Sequence, residues 1–90
     1  MQAWHIVVSG KVQGVYYRVS AAKKAEALGV KGWVRNLPNG DVEILAQADE
    51  SKLKALFDWC HEGPRLAKVA TVHRLKVPLN SKLVAFDVLK

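Results

Sequence analysis

The sequence has one cysteine, three prolines and no apolar run long enough to cross a bilayer. Because Cys60 is the only thiol, no internal disulfide can form, and a fold held together by disulfide bonds is excluded. Residues 1–5 lack a basic region followed by an apolar segment, so no secretory signal is predicted. These absences favour a cytoplasmic protein that does not enter a membrane and folds around a hydrophobic core.

Acidic residues are also scarce, and their scarcity is uneven along the chain. Eight Asp and Glu against fourteen Lys and Arg give a formal net charge of +6. Residues 1–40 contain six basic residues and one acidic residue, and therefore carry five of the six net charges. A positive field of this kind attracts small anions. Half of the 90 residues are hydrophobic and no linker interrupts them, so a single domain over residues 1–90 is predicted.

Periodicity predicts strands and helices in a recognisable order. Alternating or extended apolar patterns predict strands near residues 4–8, 31–35, 42–47, 69–77 and 85–89. Helical spacing predicts one helix from Tyr17 to Gly29 and a second from Asp49 to Gly63. The order β-α-β-β-α-β with a short C-terminal strand predicts an α+β, ferredoxin-like split βαβ sandwich. In that architecture one antiparallel sheet carries both helices on the same face.

The most informative segment is residues 9–18, where Gly10 and Gly14 bracket three residues and Arg18 stands at the start of a helical pattern. Glycine lets successive N–H groups turn inward, and a helix start adds unpaired N–H groups and positive potential. Arg18 adds a planar fork of donors for phosphate or carboxylate. The segment predicts a small oxyanion site, with phosphate as the leading ligand. On spacing alone, a glycine-rich turn that binds nothing is the alternative.

Two segments resemble the signatures of the acylphosphatase family. Residues 10–18, Gly-Lys-Val-Gln-Gly-Val-Tyr-Tyr-Arg, resemble the first signature. Residues 32–36, Gly-Trp-Val-Arg-Asn, followed by Gly-Asp-Val at 40–42, resemble the second. Both occur in the family's order and spacing, and the resemblance runs across essentially the whole chain. Ala48 stands where the second signature usually has glycine, at a position predicted to lie past the end of a strand.

The resemblance implies hydrolysis of a small-molecule acyl phosphate to a carboxylate and inorganic phosphate, which would also inhibit as product. Arg18 would bind the phosphoryl group, and Asn36 would orient the attacking water. The phosphoryl group itself would take the water's proton, without a metal ion or an organic cofactor. The backbone N–H groups that would hold the phosphoryl oxygens belong to Lys11, Val12, Gln13, Gly14, Val15 and Tyr16.

Three residue types near or outside the two motifs have more than one possible role. Asn36 at a strand end is typical of turn initiation, but its neutral amide offers both donors and an acceptor and suits a water-binding role beside an arginine site. Cys60 lies on an apolar helical stripe and is predicted to be a core residue instead of a nucleophile. The three histidines lack the mutual spacing of metal ligands, so no metal site is predicted.

Two rival functions share this composition. Some RNA-binding domains have the ferredoxin-like topology, and the chain is basic, but the first strand has only Trp4 for base stacking and no RNA-binding signature. A domain that senses anions without turnover is the other rival, although it would have no use for a water-orienting amide at Asn36. The sequence therefore favours an enzyme that does not bind nucleic acid. A monomer is expected.

Overall fold

The computed structural model describes residues 1–90, which form five strands and two helices. In chain order these are β1 (Gln2–Lys11), α1 (Tyr17–Leu28), β2 (Lys31–Asn36), β3 (Val42–Ala48), α2 (Glu50–Glu62), β4 (Lys68–Val77) and β5 (Phe86–Val88). The predicted order of elements and the ferredoxin-like fold are confirmed. No helix is long and apolar enough to cross a membrane.

The five strands form one sheet in the order β4-β1-β3-β2-β5. The pairs β4–β1, β1–β3 and β3–β2 are antiparallel, as predicted, but β5 runs parallel to β2, so the sheet is mixed. The register explains the direction of β5. Strand β4 ends at Val77, which pairs with β1 at the end of the sheet where β2 begins. The chain then crosses that end of the sheet before it enters β5. A strand added beside β2 from there must run in the same direction as β2.

Both helices pack on one face of the sheet and bury an apolar layer between helix and strand. The inward residues of β1 and β3 alternate along each strand, as the pleat requires; they are Trp4, Ile6 and Val8 on β1 and Val42, Ile44 and Ala46 on β3. Helix α1 contributes Tyr17, Ala21 and Ala25, and α2 contributes Leu53, Leu56 and Cys60. The predicted helical stripes and the core position of Cys60 are therefore confirmed. Trp4, the one aromatic residue of β1 that could have stacked on a base, is buried on the helical face of the sheet.

The helix ends and the β2–β3 turn follow the local signals in the sequence. Gly29 takes the left-handed conformation (φ 78°) after α1, and Val30 N donates to the Ala25 carbonyl at 2.8 Å. Gly40 N donates to the Leu37 carbonyl at 3.1 Å and closes the turn that follows β2. One expectation is wrong: Ala48 is the last paired residue of β3 instead of lying past its end, because its partner Gln2 extends the ladder by one residue.

The opposite face of the sheet carries a charged network. The Glu43 carboxylate accepts hydrogen bonds from His5 Nε2 at 2.6 Å and from Arg35 Nε. Burial alone would raise the pKa of Glu43, but the hydrogen bonds from His5 and Arg35 outweigh it and lower that pKa below its usual range. Side chains alternate between the two faces along β2. Arg35 therefore joins this network on the face away from the helices, and its neighbour in the chain, Asn36, does not.

Candidate active site

The loop between β1 and α1 is anchored by two valines. Val12 and Val15 are buried, at 1% and 4% exposure, and belong to the core cluster. Between and after them, Gly14 (φ 75°) and Tyr16 (φ 66°) take left-handed conformations. Tyr16 is the residue that caps α1, so the loop passes directly into the helix. Anchoring at the valines and reversal at Gly14 and Tyr16 leave the intervening backbone at the surface.

The N–H groups of this segment have no acceptor within the chain. From Val12 to Val19, none donates to a backbone carbonyl or to a side chain; the first helical hydrogen bond is from Ser20 N to the Tyr16 carbonyl, at 3.1 Å. Most backbone donors in folded proteins are paired, and a helix start ordinarily leaves only four free. A run of eight, at the positive end of the α1 dipole, forms a concentrated site for an anion.

The segment that carries these amides borders a cavity of about 280 Å³, the one pocket in the structure. Seven residues line it: Val12, Gly14, Tyr16, Tyr17, Arg18, Val19 and Asn36. Arg18 is the only charged residue among them. The remaining basic residues near the two motifs therefore contribute to the pocket only through the long-range field.

Arg18 is oriented by the C-terminal segment. Its Nη1 donates to the Leu89 carbonyl at 2.6 Å, and Leu89 N donates in turn to the Val34 carbonyl of β2 at 2.8 Å. Leu89 directly follows β5, so the parallel pairing of β5 with β2 carries this carbonyl to the arginine. One nitrogen of the guanidinium is thereby held, and its other donors are available to a ligand in the pocket.

Asn36 reaches the same pocket from the end of β2. Its Oδ1 is buried and accepts no hydrogen bond. A buried polar atom without a partner is uncommon and costs about 1–3 kcal/mol. The Asn36 amide is therefore not committed to a structural hydrogen bond through its oxygen, as a turn-forming asparagine usually is.

Gln13 connects the loop to the turn that follows Asn36. Its Nε2 donates to the carbonyls of Leu37 and Asp41, each at 2.8 Å. The same two residues close the base of the turn, where Leu37 N donates to the Asp41 carbonyl at 2.8 Å. One half-buried amide therefore holds the loop and the end of β2 at a fixed separation.

The structure brings five of the eight predicted site residues to the pocket: Val12, Gly14, Tyr16, Arg18 and Asn36. The other three do not line it. Lys11 is the exposed last residue of β1, Val15 is buried in the core, and Gln13 contacts the β2–β3 turn through its side chain. Gln13 and Val15 still contribute N–H groups to the unpaired run.

Sequence reasoning assigned no pocket role to Tyr17 and Val19. Tyr17 starts the buried helical stripe, and its hydroxyl donates to the Cys60 carbonyl at 2.7 Å. Burial raises the pKa of this phenol well above its usual range, so it remains protonated. Burial also raises the pKa of the Cys60 thiol to about 12, which makes it a poor nucleophile. Val19, three residues after Tyr16, could have been found from helical spacing once the helix start was known.

Comparison with known proteins agrees along nearly the whole chain. The family model described as acylphosphatase matches residues 4–88. A relative from Marinobacter nauticus named acylphosphatase is 54% identical over 83 residues, which cover 92% of this chain and 90% of the relative. One of the same name from Methylococcus capsulatus is 46% identical over 90 residues, covering 100% and 98%. The crystal structure of acylphosphatase from Bacillus subtilis superposes with a TM-score of 0.96 at 29% identity, covering 100% of both chains.

The contact made by Gln13 predicts a loss of stability on its removal. Because the Leu37 and Asp41 carbonyls each keep a backbone donor, Gln13→Ala is expected to lower the free energy of unfolding by about 1–2 kcal/mol, measured by urea denaturation. Asn39→Ala, on the same turn, is the matched control: its two bonds to Asp41 are exposed and can be replaced by water, so it should cost less than about 0.5 kcal/mol. Equal losses in the two variants would contradict the connecting role of Gln13.

Proposed function

The chain belongs to the acylphosphatase family and is a hydrolase, and from this premise we propose that it cleaves an acyl phosphate at the pocket beside Arg18. The observation that carries the proposal is the run of unpaired N–H groups from Val12 to Val19 next to an arginine whose other donors are free. A phosphoryl group presents three oxygens and negative charge, and this donor set matches both.

In the proposed complex the loop amides and Arg18 share the phosphoryl oxygens. Several fixed N–H donors and a guanidinium stabilise charge on those oxygens without having to reorganise during the reaction. The buried valines and the Leu89 carbonyl keep the donors in place before the substrate arrives. Binding of this kind favours the transition state of phosphoryl transfer, in which charge is spread over the equatorial oxygens.

Asn36 is proposed to orient the attacking water. It lines the same pocket from another element of the fold, and its amide oxygen has no partner in the chain. An amide does not ionise, so it can position water at any pH at which the protein is folded. Its contribution is therefore orientation, which lowers the entropic cost of the reaction.

The reaction forms a bond between the water oxygen and phosphorus and breaks the bond from phosphorus to the carboxylate oxygen. The carboxylate departs with the bonding electron pair and needs no proton, because it is a good leaving group. Arg18 and the two tyrosines are the only ionisable side chains that line the pocket. We therefore assign the water's proton to a phosphoryl oxygen. No group of three or more His, Cys, Asp or Glu is arranged to hold a metal ion.

Binding of RNA or another anion without turnover is the alternative function, and no specific observation favours it. It would leave the uncommitted amide of Asn36 in the pocket unexplained. A cytoplasmic location and a monomeric state stay predictions.

The direct test is release of phosphate from benzoyl phosphate by the purified protein in excess EDTA. We expect turnover there, because the chain's own amides and Arg18 supply the charge stabilisation, and we expect competitive inhibition by inorganic phosphate. p-Nitrophenyl phosphate should be a poor substrate, since its leaving group departs less readily and no general acid is assigned. A requirement for added Mg²⁺ or Zn²⁺, or comparable rates on both substrates, would contradict the mechanism.

Replacing Arg18 tests the bidentate contribution of the guanidinium. Arg18→Lys keeps the charge but loses the planar fork of donors. The single ammonium of lysine would have to serve both the Leu89 carbonyl and the ligand. We expect phosphate affinity and kcat both to fall by roughly tenfold or more, as for the loss of a charged hydrogen bond. Inhibition by phosphate and steady-state kinetics measure the two quantities. Unchanged phosphate affinity would place Arg18 in a structural role.

Replacing Asn36 separates chemistry from binding. In Asn36→Ala the water loses its orientation, so kcat should fall by roughly 10²–10³-fold, while inhibition by inorganic phosphate stays near wild type. Asn39→Ala, in the turn that follows, is the matched control for loosening of the turn and should retain wild-type kcat. The assigned role is wrong if a folded Asn36→Ala enzyme keeps more than about a third of wild-type kcat, or if its loss of activity only follows a loss of stability.

A further inference from the structure

Two exposed apolar residues stand at the edge of the phosphate pocket. Four of its seven lining residues are hydrophobic, and two of these, Val12 and Tyr17, are buried and belong to the core. The other two are open to solvent: Tyr16 is 74% exposed and Val19 is 48% exposed. The pocket therefore combines polar donors for an oxyanion with apolar surface that the chain itself leaves uncovered.

The backbone does not explain an aromatic residue at position 16. Tyr16 has φ 66° and ψ 22°, and it is the only residue other than glycine with a positive φ. Glycine or asparagine would adopt this conformation with less strain. Strain of this kind persists where the surrounding structure enforces it, often at functional sites. The ring of Tyr16 takes part in none of the aromatic or cation–π pairs of the chain.

Tyr16 caps α1 and Val19 lies in its first turn, so the two residues flank Arg18 in the sequence. Both of them line the same pocket. The N–H groups of this segment are the donors proposed for the phosphoryl oxygens. An acyl substituent on a phosphoryl group held by those amides shares the pocket with the exposed side chains of Tyr16 and Val19.

We propose that Tyr16 and Val19 form a contact surface for the acyl group and make the enzyme selective for acyl phosphates with an apolar, planar acyl group. This inference rests on the proposed function, since it concerns the other half of the same substrate. An aromatic acyl group would pack against the ring of Tyr16 in an offset or edge-to-face arrangement and remove apolar area from water.

Charge in the pocket points to the same selectivity. Arg18 is the only charged lining residue. In the proposed complex the phosphoryl group occupies it. An acyl group with its own carboxylate or phosphate would be dehydrated against Tyr16 and Val19 without gaining a cation. Small acyl groups such as acetyl would escape this penalty but would gain little contact.

The test compares kcat/KM for benzoyl phosphate and acetyl phosphate. In Tyr16→Asn, which keeps a residue that tolerates the left-handed backbone, we expect the benzoyl-to-acetyl ratio to fall roughly three- to tenfold, as for the loss of one ring contact. Tyr16→Phe keeps the ring and should keep the ratio. Equal losses on the two substrates, or an unchanged ratio in Tyr16→Asn, would overturn the proposal.

Val19 has a matched control elsewhere on the surface. Val19→Thr preserves shape but adds a hydroxyl, and should lower the ratio by roughly twofold. Val84→Thr makes the same change at a residue that is 82% exposed and does not line the pocket, and should leave the ratio unchanged. Equal effects of the two changes would contradict a specific contact at Val19.

Binding of phenylphosphonate and methylphosphonate by calorimetry tests the surface without turnover. A preference for phenylphosphonate in the wild type that disappears in Tyr16→Asn supports the proposal; no preference in the wild type overturns it. A wild-type protein that hydrolyses neither acyl phosphate would overturn the proposed function, and the phosphonate pair would still decide whether Tyr16 contacts the acyl position.

Discussion

Burial of Val12 and Val15 is the constraint on which the pocket depends. Each valine ties one part of the loop to the hydrophobic core, and the backbone between β1 and α1 must then pass over the surface without joining either element. A loop free to relax would pair its N–H groups with carbonyls or water. Here the core holds them apart from any internal acceptor, so apolar packing leaves a run of polar donors free for a ligand.

Two segments far apart in the chain, the end of β2 with its turn and the C-terminal segment, converge on that loop, and hydrogen bonds to backbone carbonyls fix both of them. Gln13 joins the loop to the β2–β3 turn, which places Asn36. Leu89 joins Arg18 to β2 through Val34. Strand β2 is thus the common reference for the positions of Asn36 and Arg18, which explains why two signatures so far apart describe one pocket.

Much of this arrangement could be predicted from the sequence, because the determining signals are local. Strand alternation, the left-handed Gly29 and the stop at Gly63 depend on neighbouring residues only. The fold and the positions of Arg18 and Asn36 near one loop came from spacing together with the family resemblance. The parallel direction of β5, the carbonyl of Leu89 beside Arg18 and the side-chain contacts of Gln13 could not be predicted. Each depends on a contact between distant parts of the chain, which produces no periodic pattern in the sequence. Every residue type has a backbone carbonyl, so the sequence does not indicate which carbonyl accepts a bond.

The bond from Arg18 to Leu89 joins residues 71 positions apart. During synthesis the arginine emerges from the ribosome long before its acceptor has been made. Contacts between residues so distant in sequence also form late when a free chain folds, because closing a long loop costs entropy before any contact compensates for it. The core that anchors the loop and the contact that orients Arg18 both include residues near the end of the chain, so the pocket is complete only once the last strand has been added.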